Sequence, residues 1–211
     1  MKHNNAINEV IRAENDEFNA TWINAYDFVG GDVVPKSELD VAEAVKLDAS
    51  PFMVVWLKNI ERLCGMFEKS YDFREFVLCD VGCGSGISTL FFNHKYPFKR
   101  FCGFDFSEKL IGLAENNKVI ASNNDFDISK VDFEVFDAKK VKLQNERNAI
   151  FMFNPFGWET MSRFIKNNVE IFKETKSVLL YANDICIEEI LDYGAIVERD
   201  DFYNLSLISF G

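Results

Sequence analysis

The spacing of apolar residues changes character near residue 70. Before it, apolar positions recur at helical intervals. Ile7, Val10, Ile11 and Phe18 form a stripe that predicts an amphipathic helix over residues 3–20. The stretch from Trp22 to Pro35 is broken by Gly30-Gly31 and by the proline itself. Ser50-Pro51 then reads as a helix start, with Ser as N-cap and Pro in the first helical position. Val54, Val55, Leu57, Ile60, Leu63 and Phe67 supply the buried side of that helix.

Beyond residue 76, short β-prone runs alternate with helical segments. Strands are predicted at 76–80, 100–105, 131–136, 149–154 and 177–183, and helices at 86–95, 107–121, 158–172 and 185–192. Such alternation predicts a parallel sheet wrapped by helices, and the nearly unbroken apolar runs at 76–80 and 149–154 suit central strands buried on both faces. Residues 195–199 and 203–210 are separated only by a short Asp-Asp turn. That is too short for a crossover helix, so they pair antiparallel. The expected fold is α/β: a doubly wound, mostly parallel seven-stranded sheet with a C-terminal antiparallel hairpin and an N-terminal helical cap. The expected division is residues 1–70 for the cap and 71–211 for the sheet domain.

Composition narrows the partners. With 48% hydrophobic and 15% aromatic residues in 211, the chain has the material for a real core. The net charge of −11 counts against a free nucleic acid or an anionic membrane surface, both of which are bound through Lys and Arg. No run approaches the length of a membrane span, and the polar start lacks the apolar core of a secretory signal. The five cysteines form no C-x-x-C pair, which suits a reducing compartment, so a soluble cytoplasmic protein is expected. No His, Cys or acidic cluster has metal-ligand spacing, and no metal is expected.

The sharpest local pattern is Val77-Leu78-Cys79-Asp80-Val81-Gly82-Cys83-Gly84-Ser85-Gly86. A strand enters a glycine turn that opens a helix, leaving backbone N–H groups free to approach a ligand. Ile87 stands where the dinucleotide fingerprint needs its third glycine, and no lysine follows as a phosphate loop requires. Asp80 begins the turn. Asp105 ends the second strand, 19 residues beyond Gly86, where a carboxylate accepts both hydroxyls of a ribose. Asp137 follows the third strand in a place suited to an exocyclic amino group. The competing reading is that each Asp caps the turn that follows it.

Taken together, DVGCGSG, GFDFS and FEVFDA resemble the S-adenosylmethionine-dependent methyltransferases of the seven-stranded class I fold. The resemblance implies S-adenosylmethionine as cofactor. It places Asp80, Gly82, Cys83, Gly84 and Gly86 along the methionine and ribose, Cys83 through its backbone. Asp105 falls on the ribose hydroxyls, Phe106 beside adenine, and Asp137 with Ala138 at the adenine amino group. Asn154-Pro155-Phe156-Gly157 is similar to the N/D-P-P-Y/F motif of amino-group methyltransferases, with Phe156 in place of the second proline. By that likeness Asn154 is a catalytic and cofactor-side residue, and Pro155 and Phe156 face the substrate. A strand-corner role for Asn154 and Pro155 stands beside it. The stretch Tyr26-Asp27…Gly31…Pro35, with Tyr96-Pro97-Phe98-Lys99-Arg100 and the Asn154–Gly157 run, also resembles a group of small bacterial class I enzymes. Tyr26 is assigned to the acceptor side, as a catalytic and substrate residue, because N-terminal caps usually cover that face.

His3 and His94 read as solvated surface groups, so positioning rather than acid–base chemistry is the expected catalytic device. The leading expectation is methyl transfer to O or N of a small molecule or sugar-like metabolite. The alternatives are an amino-group methyltransferase acting on a protein side chain, and a non-catalytic nucleoside-binding module. The sequence leaves the oligomeric state open.

Overall fold

Every residue of Val77–Val81, the first strand, is buried. Leu78 faces one apolar cluster, while Val77, Cys79 and Val81 face a second on the other side. A strand apolar on both faces must be covered on both, and the rest of the fold supplies the two layers. The computed structural model describes residues 2–32, 34, 35, 37, 48 and 50–211, with side chains in the first helix from Glu9 onward. Ile7 and His3 therefore lie outside the described side chains.

The strands are β1 (Val77–Val81), β2 (Phe101–Asp105), β3 (Val131–Val135), β4 (Asn148–Phe153), β5 (Val178–Ala182), β6 (Ala195–Asp200) and β7 (Leu205–Phe210). They form one sheet in the order β3-β2-β1-β4-β5-β7-β6. Strands β1 to β5 run parallel, and β7 pairs antiparallel with both β5 and β6. The predicted seven-stranded sheet with its terminal hairpin is the observed one.

The helices are α1 (Lys2–Ala25), α2 (Leu57–Phe67), α3 (Ile87–Lys95), α4 (Glu108–Asn123), α5 (Trp158–Thr175) and α6 (Ile187–Leu191). Apolar residues of α2, α3 and α4 share one cluster with Leu78, Phe101, Phe133 and Phe151 of the sheet. Met161, Phe164, Ile165 and Phe172 of α5, with Ile187 and Ile190 of α6, cover Ile150, Met152, Leu179 and Tyr181 on the opposite face. The crossover from β3 to β4 has only a single 3-10 turn, Ala138–Lys140. Its trailing loop is pinned instead by buried Asn168 of α5, which accepts from Leu143 N (2.8 Å) and donates to Val141 O (3.0 Å).

Two N-terminal expectations change. The stripe of α1 that meets the protein runs through Ile11, Asn15, Phe18, Asn19 and Trp22, while Val10 is 58% exposed. The second helix begins at Leu57, not at Ser50-Pro51. Phe52 is extended and pairs with Val34 through two backbone hydrogen bonds of 2.9 and 3.0 Å. The reason is a cap from elsewhere in the chain: Asn19 of α1 accepts from Leu57 N (2.8 Å) and donates to Val55 O (2.9 Å). Trp56, at the N-cap position, makes no side-chain cap of its own. Asn19 thereby satisfies an N–H that a helix start otherwise leaves unpaired.

Asp80 fixes where α3 leaves the sheet. Its Oδ2 accepts from Ser88 and Thr89 hydroxyls, each at 2.6 Å, in the first turn of α3. Burial pushes its carboxyl up to about 6, with the two hydroxyls pulling the other way. Between about pH 4 and pH 6 the folded chain therefore holds a proton that the unfolded chain has released. Unfolding expels that proton, so this contribution to stability rises as pH falls through the window. Urea denaturation of the native protein and of Asp80→Asn at pH 7 and pH 5 should show the native protein gaining relative to the variant at pH 5; a relative loss contradicts the assignment.

Phe67 of α2 is fully buried and stacks on Phe73 (ring centroids 5.0 Å apart), with Phe76 edge-on at 4.9 Å. Phe67→Ala should cost about 3–5 kcal/mol of unfolding free energy. A loss below about 1 kcal/mol, the scale of a surface change, would place α2 outside the cooperative core.

Candidate active site

The three glycines of the turn are left-handed: φ is +79° at Gly82, +55° at Gly84 and +75° at Gly86. Each lies where a Cβ would be obstructed. A side chain on Gly82 would collide with Pro155, on Gly84 with the Phe52 ring, and on Gly86 with Phe133 and Ala114. Asp105, at the end of β2, ties the turn to its neighbour: Gly84 N–H donates to Oδ2 (3.1 Å) and Ser107 N–H to Oδ1 (2.9 Å). It is 6% exposed, and burial pushes its carboxyl above the usual range. Each oxygen still has a lone pair to offer, because an ionised carboxylate accepts about four hydrogen bonds.

The carboxyl ends of β1, β2, β4 and β5 border a cavity of about 140 Å³. Of the sequence-assigned residues, Gly82, Asp105, Phe106, Ala138, Asn154, Pro155 and Phe156 line it. Gly84 lies beneath Phe52, and Gly86 packs into the core. Cys83 is buried, with its thiol pushed up by that burial. Asp80 sits under the turn, holding α3. Asp137 caps the 3-10 turn by accepting from Lys139 N (2.9 Å) and borders an adjoining recess of about 70 Å³ with Ala138, Phe106 and Asp48.

Tyr26 is a correction. Its ring packs edge-on against Phe126 (4.9 Å, 80°), with its hydroxyl 3.5 Å from His94 Nε2. His94 stands in the last turn of α3, about 12 Å of helix from the glycine turn. Tyr26 caps an aromatic cluster at the far edge of the sheet because α1 ends there. It does not reach the cavity.

Asn154 leaves β4 at φ +41°, in the left-handed region that Asn tolerates better than most residues. Its Oδ1 is buried without a hydrogen-bond partner. Gly157 opens α5 with no side chain to cap it. Asp48 does so from the strap that includes Phe52: Gly157 N–H donates to its carbonyl (2.7 Å), and Thr160 N–H (2.8 Å) and hydroxyl donate to its Oδ2. A Cβ on Gly157 would strike that carboxylate, so the Asn154–Gly157 corner is shaped by Asp48 as well as by the cavity. The sequence reading missed Asp48, Phe52, Met53 and Asn183, the last three of which line the cavity. The only sequence signal for Asn183 was its place as the last residue of the strand predicted at 177–183.

A larger cavity, of about 370 Å³, lies on the sheet face where the β3–β4 connection has no full helix. Its Cys79 and Cys102 thiols are pushed up by burial, and none of the glycine turn borders it. The strand-end cavity is the one that the glycine turn and Asp105 border, whereas the larger one is lined by charged side chains such as Arg100, Glu134 and Lys142. Among the described residues Asp105 is the sole titratable member of the strand-end wall and no Lys or Arg contributes, which suits a sulfonium ligand with a ribose better than a phosphate ligand.

A family model described as a methyltransferase domain matches residues 73–204, more than half of the chain. The magnesium protoporphyrin IX methyltransferase of Synechocystis PCC 6803, solved with bound SAM, is 17% identical; the match covers 93% of this chain and 94% of that one, with a TM-score of 0.55. The precorrin-6y C5,15-methyltransferase of Geobacter metallireducens GS-15 is 14% identical over 84% of this chain and 95% of that one, with a TM-score of 0.50. An RNA methyltransferase of Salinibacter ruber, in complex with S-adenosyl-L-homocysteine, is 13% identical over 72% and 88%, at 0.48. At these identities the first two likenesses show the fold alone. No curated protein matches the chain. The chain belongs to the methyltransferase domain family that the matched model defines, and is a class I S-adenosylmethionine-dependent methyltransferase.

Proposed function

We propose that this enzyme transfers a methyl group to an O or N atom of a small, uncharged molecule bound beside Asn154. The observation that carries the reading is the buried Asn154 Oδ1, which lacks a partner on the wall of a cavity with no cationic side chain among the described residues. Leaving a buried acceptor unpaired costs about 1–3 kcal/mol, so an N–H or O–H of the bound acceptor is its natural partner.

S-adenosylmethionine, when bound, supplies an electrophilic methyl group on a sulfonium. Asp105 would hold its ribose hydroxyls, Phe106 and Ala138 its adenine, and Gly82 and Gly84 its methionine end. The cavity is smaller than the roughly 300–1,000 Å³ of ligand sites, and the Phe52 ring on Gly84 accounts for the shortfall. Phe52 is then a movable wall of the site. Asn154 orients the acceptor by taking a hydrogen bond from the atom to be methylated. Phe156 and Pro155 fix its depth, and the released proton goes to solvent. Positioning at ~3–3.5 Å from the methyl carbon is the main catalytic term.

Among the described residues the cavity wall offers a phosphate-rich acceptor no counter-charge, which supports excluding nucleic acid. Residues 1–70 serve as the cap over the site, and the cysteine usage supports a cytoplasmic setting. Among the described residues no helix is long and apolar enough to cross a membrane. An amino-group acceptor on a protein side chain is the second reading, favoured by the same unpartnered Oδ1 followed by Pro155-Phe156.

Calorimetry should give saturable 1:1 binding of S-adenosylhomocysteine, with no comparable response to NAD or ATP. Asp105→Ala should weaken that binding roughly ten- to a hundred-fold, the worth of hydrogen bonds to a charged group. A variant that loses thermal stability but binds normally would make Asp105 a turn cap only.

A further inference from the structure

Asn154 has a structural twin. Strand β4 pairs with β5 so that Phe153 lies opposite Ala182, which puts Asn154 and Asn183 side by side, one residue beyond the last paired positions. Both are left-handed, with φ +41° and +54°, and both line the strand-end cavity. Neither side chain makes a hydrogen bond among the described residues, and Asn154 Oδ1 is buried without one. Sheet order says which ligand they meet. The glycine turn, Asp105 and Asp137 follow β1, β2 and β3, on one side of the sheet's switch point; β4 and β5 lie on the other. With strands ~4.8 Å apart, the end of β5 is about 10 Å from the glycine turn, beyond the groups that hold the donor.

Among the described residues, no charged side chain lines the cavity beside this pair other than Asp105 on the donor side. Asp184, next in the chain, is 2% exposed and turned away, held by Arg199 through Nε (2.8 Å) and Nη2 (3.0 Å) and by the Ser206 hydroxyl. The neighbouring walls include Phe52, Met53 and Phe156, with Ser50 beside Pro155. Two neutral carboxamides between aromatic and thioether walls can satisfy a ligand that offers a hydrogen-bond donor and acceptor close together. They cannot neutralise a carboxylate or a phosphate.

We infer that Asn183 is a specificity residue acting with Asn154, and that the pair selects an uncharged, planar acceptor carrying a hydroxyl or amide N–H beside a second polar group. This rests on the reading of the cavity as the donor-and-acceptor site. Salicylamide and salicylate are matched probes: they share the ring and hydroxyl and differ by a neutral amide against a carboxylate. Their binding is read by ligand-observed NMR on the protein saturated with S-adenosylhomocysteine, whose own affinity is measured first by calorimetry. Salicylamide should bind about tenfold or more tighter than salicylate, because a buried unpaired charge is heavily penalised. Asn183→Gly keeps the left-handed backbone at no steric cost. It should weaken salicylamide roughly 3- to 10-fold, the worth of an ordinary hydrogen bond, and leave S-adenosylhomocysteine affinity unchanged. Asn183→Asp, nearly isosteric, should lose salicylamide to at least the same extent and gain affinity for the cationic probe benzylamine. Equal binding of the two salicyl probes, no binding of either to the donor-loaded protein, or unchanged salicylamide affinity in Asn183→Gly overturns the inference. Failure of the native protein to bind S-adenosylhomocysteine instead overturns the proposed function.

Discussion

Three parallel strands end on a residue whose backbone turns left-handed at once: Gly82 after β1, Asn154 after β4 and Asn183 after β5. A strand that continued in extended geometry would carry its backbone across the sheet's carboxyl edge and fill the space there. The abrupt turns withdraw the chain and leave a hollow bordered by strand ends, where ligands of open α/β sheets bind. The backbone constraint also selects the residue types. Glycine is needed at position 82, where Pro155 presses on the turn, while Asn tolerates φ > 0 and brings a polar side chain to the wall. Asp80 and Asp105 hold the first turn from below and from the side, and both carboxyls are raised by the burial this requires.

The N-terminal segment joins the catalytic side through a few long-range polar contacts. Asn19 caps α2, and Asp48 caps α5 at the corner that carries Asn154. Ser85 hydroxyl donates to Gly30 O (2.9 Å), and Asn117 accepts from Val29 N (2.8 Å), so the chain after α1 is fastened to the glycine turn and α4. Between these ties the Phe52 ring rests on Gly84. That aromatic ring closes the strand-end cavity over the glycine turn.

Periodicity and composition made the sheet legible because its strands are apolar enough to be read without their neighbours. The hairpin followed from the shortness of the link between β6 and β7. The glycine turn and Asp105 were legible for the same local reason, since their spacing within a strand-turn-helix unit carries the chemistry. What failed were features decided by residues distant in sequence. Ser50-Pro51 has the local chemistry of a helix start, yet α2 begins at Leu57 because Asn19 supplies the cap there. Tyr26 sits beside a glycine-rich stretch but is drawn to Phe126 and His94 by aromatic packing. Asp48 gives Gly157 its reason, across 112 positions that no local pattern spans. Asn183 became visible as a site residue only once strand pairing set it beside Asn154.

The account turns on one placement: the nucleoside of the donor lies across the ends of β1 and β2, leaving the ends of β4 and β5 to the acceptor. A crystal structure with S-adenosylhomocysteine measures it directly. The predicted result is both ribose hydroxyls within hydrogen-bond distance of Asp105, the Phe52 ring displaced from Gly84, and Asn154 and Asn183 facing open space beyond the sulfur. A nucleoside seated in the larger cavity beside Cys79 and Cys102, or lying against Asn183 with Asp105 untouched, would contradict it.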